Sequence, residues 1–335
     1  MANPRRARVL KAVKTLVSVG LIVGIVVAIV RREGMDELVA RARMLDPVLL
    51  LVAVLAQLGA VGLGIRRWQG LLRSQGIDLP YRWLGQSYLV GRFVGAFTPS
   101  TAGLDVYRAL DVGTHTGEHG KSTSTILLEK GFGLVGLAFT TFALVPFGAR
   151  RFFGPSAFLV AFAVLVGAIA GLVFLRRPRL AAPVLRLLPA GPRTKITGLL
   201  EKVQAMPMRP SEVARAILLG IGSHALTSAC YAAAGLALRL EVSPMDLLVV
   251  GNAIVLATLL PISLGGVGVR EGTAVVLLGA VNVPVGDATL AALLGYLAMQ
   301  PPALLGGLVQ LRGRSHPEAS DHVAAPSANE DTEAY

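Results

Sequence analysis

The sequence predicts an all-α integral membrane protein: about six spanning helices plus two re-entrant hairpins broken at Pro and Gly, arranged as an inverted repeat. Three observations carry this reading. Of 335 residues, 53% are hydrophobic and 16% are charged, against roughly 25% charge in a soluble domain. Apolar stretches close to the roughly 20 residues that cross a bilayer recur along the chain. Two further apolar stretches end in Pro/Gly/Arg breaks of identical spacing.

Arg5, Arg6, Arg8, Lys11 and Lys14 precede an apolar run over 16–30 that closes with Arg31-Arg32. A secretory signal has this outline, but no small-x-small cleavage site precedes the arginines, so the run is read as a retained first span. The basic stretch 1–14 is then cytoplasmic. Further spans are expected at 47–65, 123–148, 154–175, 213–238 and 287–310. With that topology the cytoplasmic stretches hold 23 Lys and Arg and the outer stretches eight, the asymmetry of the positive-inside rule. The net charge of +12 therefore reflects topology, and no nucleic-acid partner is expected. Between 193 and 206, Ile196, Leu199, Leu200, Val203 and Met206 recur at helical spacing. That segment is either a helix on the inner leaflet or a surface helix of a loop. The tail, 313–335, is polar and expected to be disordered and cytoplasmic.

Two segments are not plain crossings. The stretch 81–99 carries Arg82, Gln86 and Arg92 and stops at Thr98-Pro99-Ser100-Thr101; Arg92 is read as snorkelling to the cytoplasmic face. The stretch 247–260 runs into Pro261-Ile-Ser-Leu-Gly265-Gly266-Val-Gly268-Val-Arg270-Glu271. Pro and Gly break helices there, and lipid cannot satisfy the freed backbone groups, so such loops must be buried in protein or line a wet cavity.

Pro99, Gly103 and Arg108 share their spacing with Pro261, Gly265 and Arg270, 162 residues later. The same displacement carries 47–65 onto 209–227 and 123–148 onto 285–310. Within a membrane domain spanning 15–312, repeat one covers about 47–148 and repeat two about 209–310. One crossing separates them, so the second repeat is inverted, a design found in transporters.

Ionisable groups at membrane depth cost several kcal/mol and so are paired or functional. Asp105 and Arg108 stand three apart and can neutralise one another on a helix. Arg270 and Glu271 are adjacent, point to different faces, and need partners elsewhere. Glu129 and Lys130 open the span after the first break. An arginine at the end of a glycine-opened loop, near helix N-terminal amides, suits a phosphate. The candidate substrate-binding set is Pro99, Gly103, Asp105, Arg108, Glu129, Pro261, Gly265, Gly266, Gly268, Arg270 and Glu271. His115 and His119 lack a third ligand and are read as a solvated loop; His224, in a span, is read as an interhelical hydrogen bond. With one cysteine, Cys230, and no nucleophile elbow, P-loop or dinucleotide fingerprint, no metal, cofactor or catalytic residue is expected.

The run Arg67-x-x-x-Leu71-Leu72, Tyr88-x-x-Gly91-x-Phe93, Phe97-Thr-Pro99 through Asp105-Val-Tyr-Arg108, Leu128-Glu129-Lys130-Gly131 and Leu260-Pro261 through Arg270-Glu271-Gly272 resembles the flippase-like membrane domain of lysylphosphatidylglycerol synthases. The resemblance covers roughly residues 10 to 312. Gly103-Leu104-Asp105 and Glu129-Lys130 depart from the Gly-Gly-Asp and Glu-Arg typical of that family. The resemblance implies the lipid-moving half of such synthases without their soluble synthase half. The expected function is a bacterial inner-membrane translocator of a phospholipid or lipid-linked head group, its partners being membrane lipids and, as an option, a separate lipid-modifying enzyme. The alternatives are an intramembrane transferase with Asp105 or Glu129 as general base, or a scaffold for a synthase encoded elsewhere.

Overall fold

The computed structural model describes residues 43–96, 102–177, 183, 186, 189–259, 266 and 268–312. The expected span at 16–30, the tail at 313–335, and Pro99, Pro261 and Gly265 lie outside the described residues. The protein is an all-α membrane protein, with no strand among the described residues. Its helices are α1 (Pro47–Arg73), α2 (Tyr81–Ala96), α3 (Ala102–Thr116), α4 (His119–Leu144), α5 (Ala149–Phe153), α6 (Ala157–Arg176), α7 (Ala190–Gln204), α8 (Pro210–Ala237), α9 (Pro244–Thr258), α10 (Val269–Gly279), α11 (Val285–Ala298) and α12 (Pro301–Arg312).

Five stretches are long and apolar enough to cross a membrane: Pro47–Arg73, His119–Phe147, Ala149–Arg176, Pro210–Ala237 and Val285–Arg312. They coincide with the five spans expected in this part of the chain. The last is interrupted, because Pro301 and Pro302 withhold two backbone donors and divide it into α11 and α12. Helix starts follow side-chain chemistry. Asp46 accepts from the amides of Val48 and Leu49 ahead of Pro47 in the first turn, and Ser243 accepts from Met245 ahead of Pro244.

The two broken segments form helix pairs. Helix α2 packs on α3, and α9 on α10. These helices have 16, 15, 15 and 11 residues, so each reaches at most roughly 24 Å, short of the ~30 Å hydrocarbon core. Gly95 lets α2 approach α3 closely, since a Cβ there would stand 3.2 Å from the Leu104 nitrogen.

A long helix, two short ones and a second long stretch thus occur in order twice. Displaced by 162 residues, α1 to α3 overlie α8 to α10, and α4 falls across α11 and α12. The counterparts α1 and α8 are antiparallel. The Asp46 amide, at the start of α1, donates to the Ala237 carbonyl at the end of α8 at 3.0 Å, while Ser223 Oγ donates to the Ala60 carbonyl midway along. Small residues allow close approach across the bundle: a Cβ on Gly136 of α4 would lie 2.6 Å from the backbone of Gly220 of α8.

Helix α12 closes on α2 so tightly that Gly306 has no room for a Cβ against the Leu89 carbonyl, and Gly307 lies against the Phe93 ring. The 162-residue displacement sends Leu89 to Gly251, which is packed instead against α8, a Cβ there standing 2.7 Å from the Ser228 carbonyl. An apolar cavity of about 600 Å³ lies between α4, α6, α9 and α10, lined by residues including Leu144, Val160, Asn252, Leu256, Gly272 and Val276.

The amphipathic segment forms α7 and packs on the protein. Leu200, Val203 and Met206 are buried, the last two in one cluster with Leu71, Leu128, Phe132 and Ala216, whereas Ile196 stays exposed.

Candidate functional site

The first break leads into α3, where Asp105 occupies the first turn and favours the helix dipole. Arg108, one turn on, is 3% exposed. Its Nη2 donates to Asp105 Oδ1 at 2.7 Å and its Nη1 to Glu129 Oε2 at 2.8 Å. The guanidinium lies between two aromatic rings, 4.8 Å from the Trp68 centroid and 4.7 Å from that of Tyr88, an arrangement that holds a desolvated cation. The site therefore gathers residues from α1, α2, α3 and α4.

Glu129 serves a second cation. Arg67 Nη2 donates to Glu129 Oε1 at 3.2 Å, and Lys130 Nζ lies 2.6 Å from Asp105 Oδ2. Glycines make the passage for Arg67: a Cβ on Gly220 would stand 3.1 Å from its Nη1, and one on Gly133 3.4 Å from its Nη2. His224 of α8 faces the Gly133 backbone of α4. The network joins three cations, Arg67, Arg108 and Lys130, to two carboxylates, Asp105 and Glu129. It carries one surplus positive charge, and Arg108 Nε has no hydrogen-bond partner among the described residues.

At the second break, Gly266 and Gly268 take φ of +81° and +83°, the left-handed region that favours glycine. A Cβ on Gly266 would also stand 2.9 Å from Thr258 Cγ2 and 3.2 Å from Arg270 Nη2. Glu271 Oε2 accepts from the Gly268 amide at 2.6 Å, closing the N-terminus of α10. Arg270 is 2% exposed and stacks on Tyr296 of α11, 3.8 Å from the ring centroid. Adjacency in the chain sends the two side chains to different partners; their closest approach, Nε to Oε1, is 4.0 Å.

Of the sequence candidates, the structure brings Asp105, Arg108 and Glu129 into one network and Gly266, Gly268, Arg270 and Glu271 into another, with Gly103 in the first turn of α3. The described contacts of Arg108 and of Arg270 share no residue. Arg92, read as snorkelling, places its Nη2 3.5 Å from the Met299 carbonyl beyond α11, where the helix end offers unpaired carbonyls. His115 belongs to the last turn of α3 and lies against Trp83, 4.8 Å between ring centroids, while His119 opens α4. Sequence reasoning did not place Trp68, Tyr88, Arg67 or Tyr296 in a site. The signal present was an Arg67-Trp68 pair closing an apolar helix.

A family model of the lysylphosphatidylglycerol synthase TM region matches residues 15–306, most of the chain and both hairpins. The chain belongs to that family. Comparison with curated proteins gives no match. As a member of the lysylphosphatidylglycerol synthase TM family, the protein is a multi-pass membrane protein with a function related to membrane lipids.

Proposed function

We propose that this protein translocates a phospholipid or lipid-linked head group between leaflets of a bacterial inner membrane, with both termini cytoplasmic. The observation that carries the reading is the surplus positive charge of the Arg67, Arg108, Lys130, Asp105 and Glu129 network, where the first hairpin, too short to cross, meets the spans α1 and α4. A lone charge at that depth is costly, and an anionic head group offsets it. Arg108 and Arg270 are the phosphate-holding groups of the two hairpins. Asp105, Glu129 and Glu271 orient them or meet a cationic part of the head group. Gly266 and Gly268 shape the second break, and Pro99, Gly103, Pro261 and Gly265 complete the proposed substrate-binding set.

The apolar cavity beside α10 supports a lipid substrate, because its walls suit an acyl chain one turn from Arg270. Rocking of repeat one, 47–148, against repeat two, 209–310, alternates access. The test is leaflet exchange of a fluorescent phospholipid in proteoliposomes. Wild-type protein accelerates exchange, and the Arg108→Ala, Arg270→Ala double variant abolishes the gain. Wild-type rates equal to empty vesicles, or an unaffected double variant, overturn the proposal.

A further inference from the structure

The C-terminal end of α1 and the N-terminal end of α8 enclose a pocket of about 130 Å³. Arg66, Arg67, Arg73 and Arg215 line it, with Glu212 as the single carboxylate. Glu212 is already engaged, since its Oε2 accepts from the Arg209 amide at 2.8 Å and closes the N-terminus of α8. Arg73 is paired with Asp78 at 2.8 Å, and Arg66 stacks on Tyr81 while its Nη1 donates to Gln69. Arg67 is different. Its side chain is only 10% exposed, yet its Nε and Nη1 have no hydrogen-bond partner among the described residues. Buried guanidinium donors left open are costly and call for an acceptor.

We infer that this pocket binds a phosphate group, with Arg67 as its buried floor and Arg66 and Arg215 at its mouth. Arginines gathered on one pocket supply the planar donor forks that match the oxygens of a phosphate monoester or diester. The volume is several times the roughly 10–15 Å³ that holds one water molecule, so it admits one such group. Basic pockets between membrane helices commonly take phosphate-bearing head groups from the adjacent leaflet, and a soluble phosphate ester presents the same chemistry. The inference goes beyond lipid translocation and does not depend on it. Arg67 also joins the pocket to the Arg108 site, because its Nη2 bonds Glu129. An anion in the pocket and the carboxylate beside Arg108 therefore share one guanidinium.

The experiment measures equilibrium binding to the full chain with two probes. Phosphatidylglycerol in mixed micelles is counted by native mass spectrometry, and inorganic phosphate is titrated calorimetrically and as a competitor of the lipid. An Arg66→Gln, Arg215→Gln double variant removes the exposed mouth and leaves the buried networks intact. An Arg150→Gln variant, on exposed α5, is the control. Wild type and control bind alike, and the double variant binds roughly thirtyfold more weakly, at about 1 kcal/mol for each arginine. Retention of lipid that phosphate does not displace identifies a head-group site; direct binding of inorganic phosphate identifies a site for soluble phosphate. Either supports the inference. Binding of neither probe, or a double variant that binds as wild type does, overturns it. Since no leaflet exchange is read, a failure here is separate from a failure of the translocation proposal.

Discussion

Arg108 and Glu129 meet at 2.8 Å although 21 residues separate them. Both are 3% exposed, so the contact ties the first hairpin to the span that follows it. Removing one partner of a buried pair leaves the other charge uncompensated, at about 3–5 kcal/mol. Glu129→Ala strands Arg67, leaves Arg108 with Asp105 alone, and is expected to lower the Tm in detergent by several degrees, whereas Glu129→Asp loses less. An Ala variant melting with wild type would show that the pair contributes nothing net.

Arg108→Lys separates charge from shape. A lysine keeps the cation but loses the planar fork that reaches Asp105 and Glu129 together and stacks between Trp68 and Tyr88. The expected exchange rate falls roughly tenfold, one lost charge-assisted bond at about 1.5 kcal/mol, with a smaller loss than in Arg108→Ala. Equal rates for Lys and Ala would mean that charge alone is immaterial.

The open cavity permits a substitution that fills space without crowding. A Cβ on Gly272 meets nothing within 4 Å, and Gly272 lines the cavity. Gly272→Leu gains roughly 1 kcal/mol of helix propensity in α10 and so leaves Tm unchanged or higher. If an acyl chain uses the cavity, the same variant slows leaflet exchange. Undiminished exchange in a stable variant would exclude the cavity from the lipid path.

Gly136 offers the opposite case. A Cβ at this position would stand 2.6 Å from the Gly220 backbone, so Gly136→Val forces α4 from α8 and costs about 1–3 kcal/mol. A lower Tm in detergent, with parallel loss of folded protein, is the expected readout.

Hydropathy and helix-breaking chemistry already specified the five described spans and the two interrupted segments, because insertion into lipid depends on local composition and on backbone donors that Pro lacks. The spacing of Asp105 to Arg108 likewise implied their pairing, since residues three apart face one another on a helix. The division of 287–310 at Pro301-Pro302 was legible in principle from the same rule.

What the tertiary structure alone decided is who meets whom across the bundle. Trp68 and Tyr88 reach Arg108 from two different helices, and Tyr296 reaches Arg270 from a third. Arg67, which charge counting assigns to a cytoplasmic stretch, is drawn inward through a gap that Gly133 and Gly220 leave open. The closing of α12 on α2 depends on Gly306, which has no Cβ to meet the Leu89 carbonyl. Periodicity reports how each helix meets its solvent. The choice of neighbours is a sum of close contacts between segments far apart in the chain, and no local pattern encodes it.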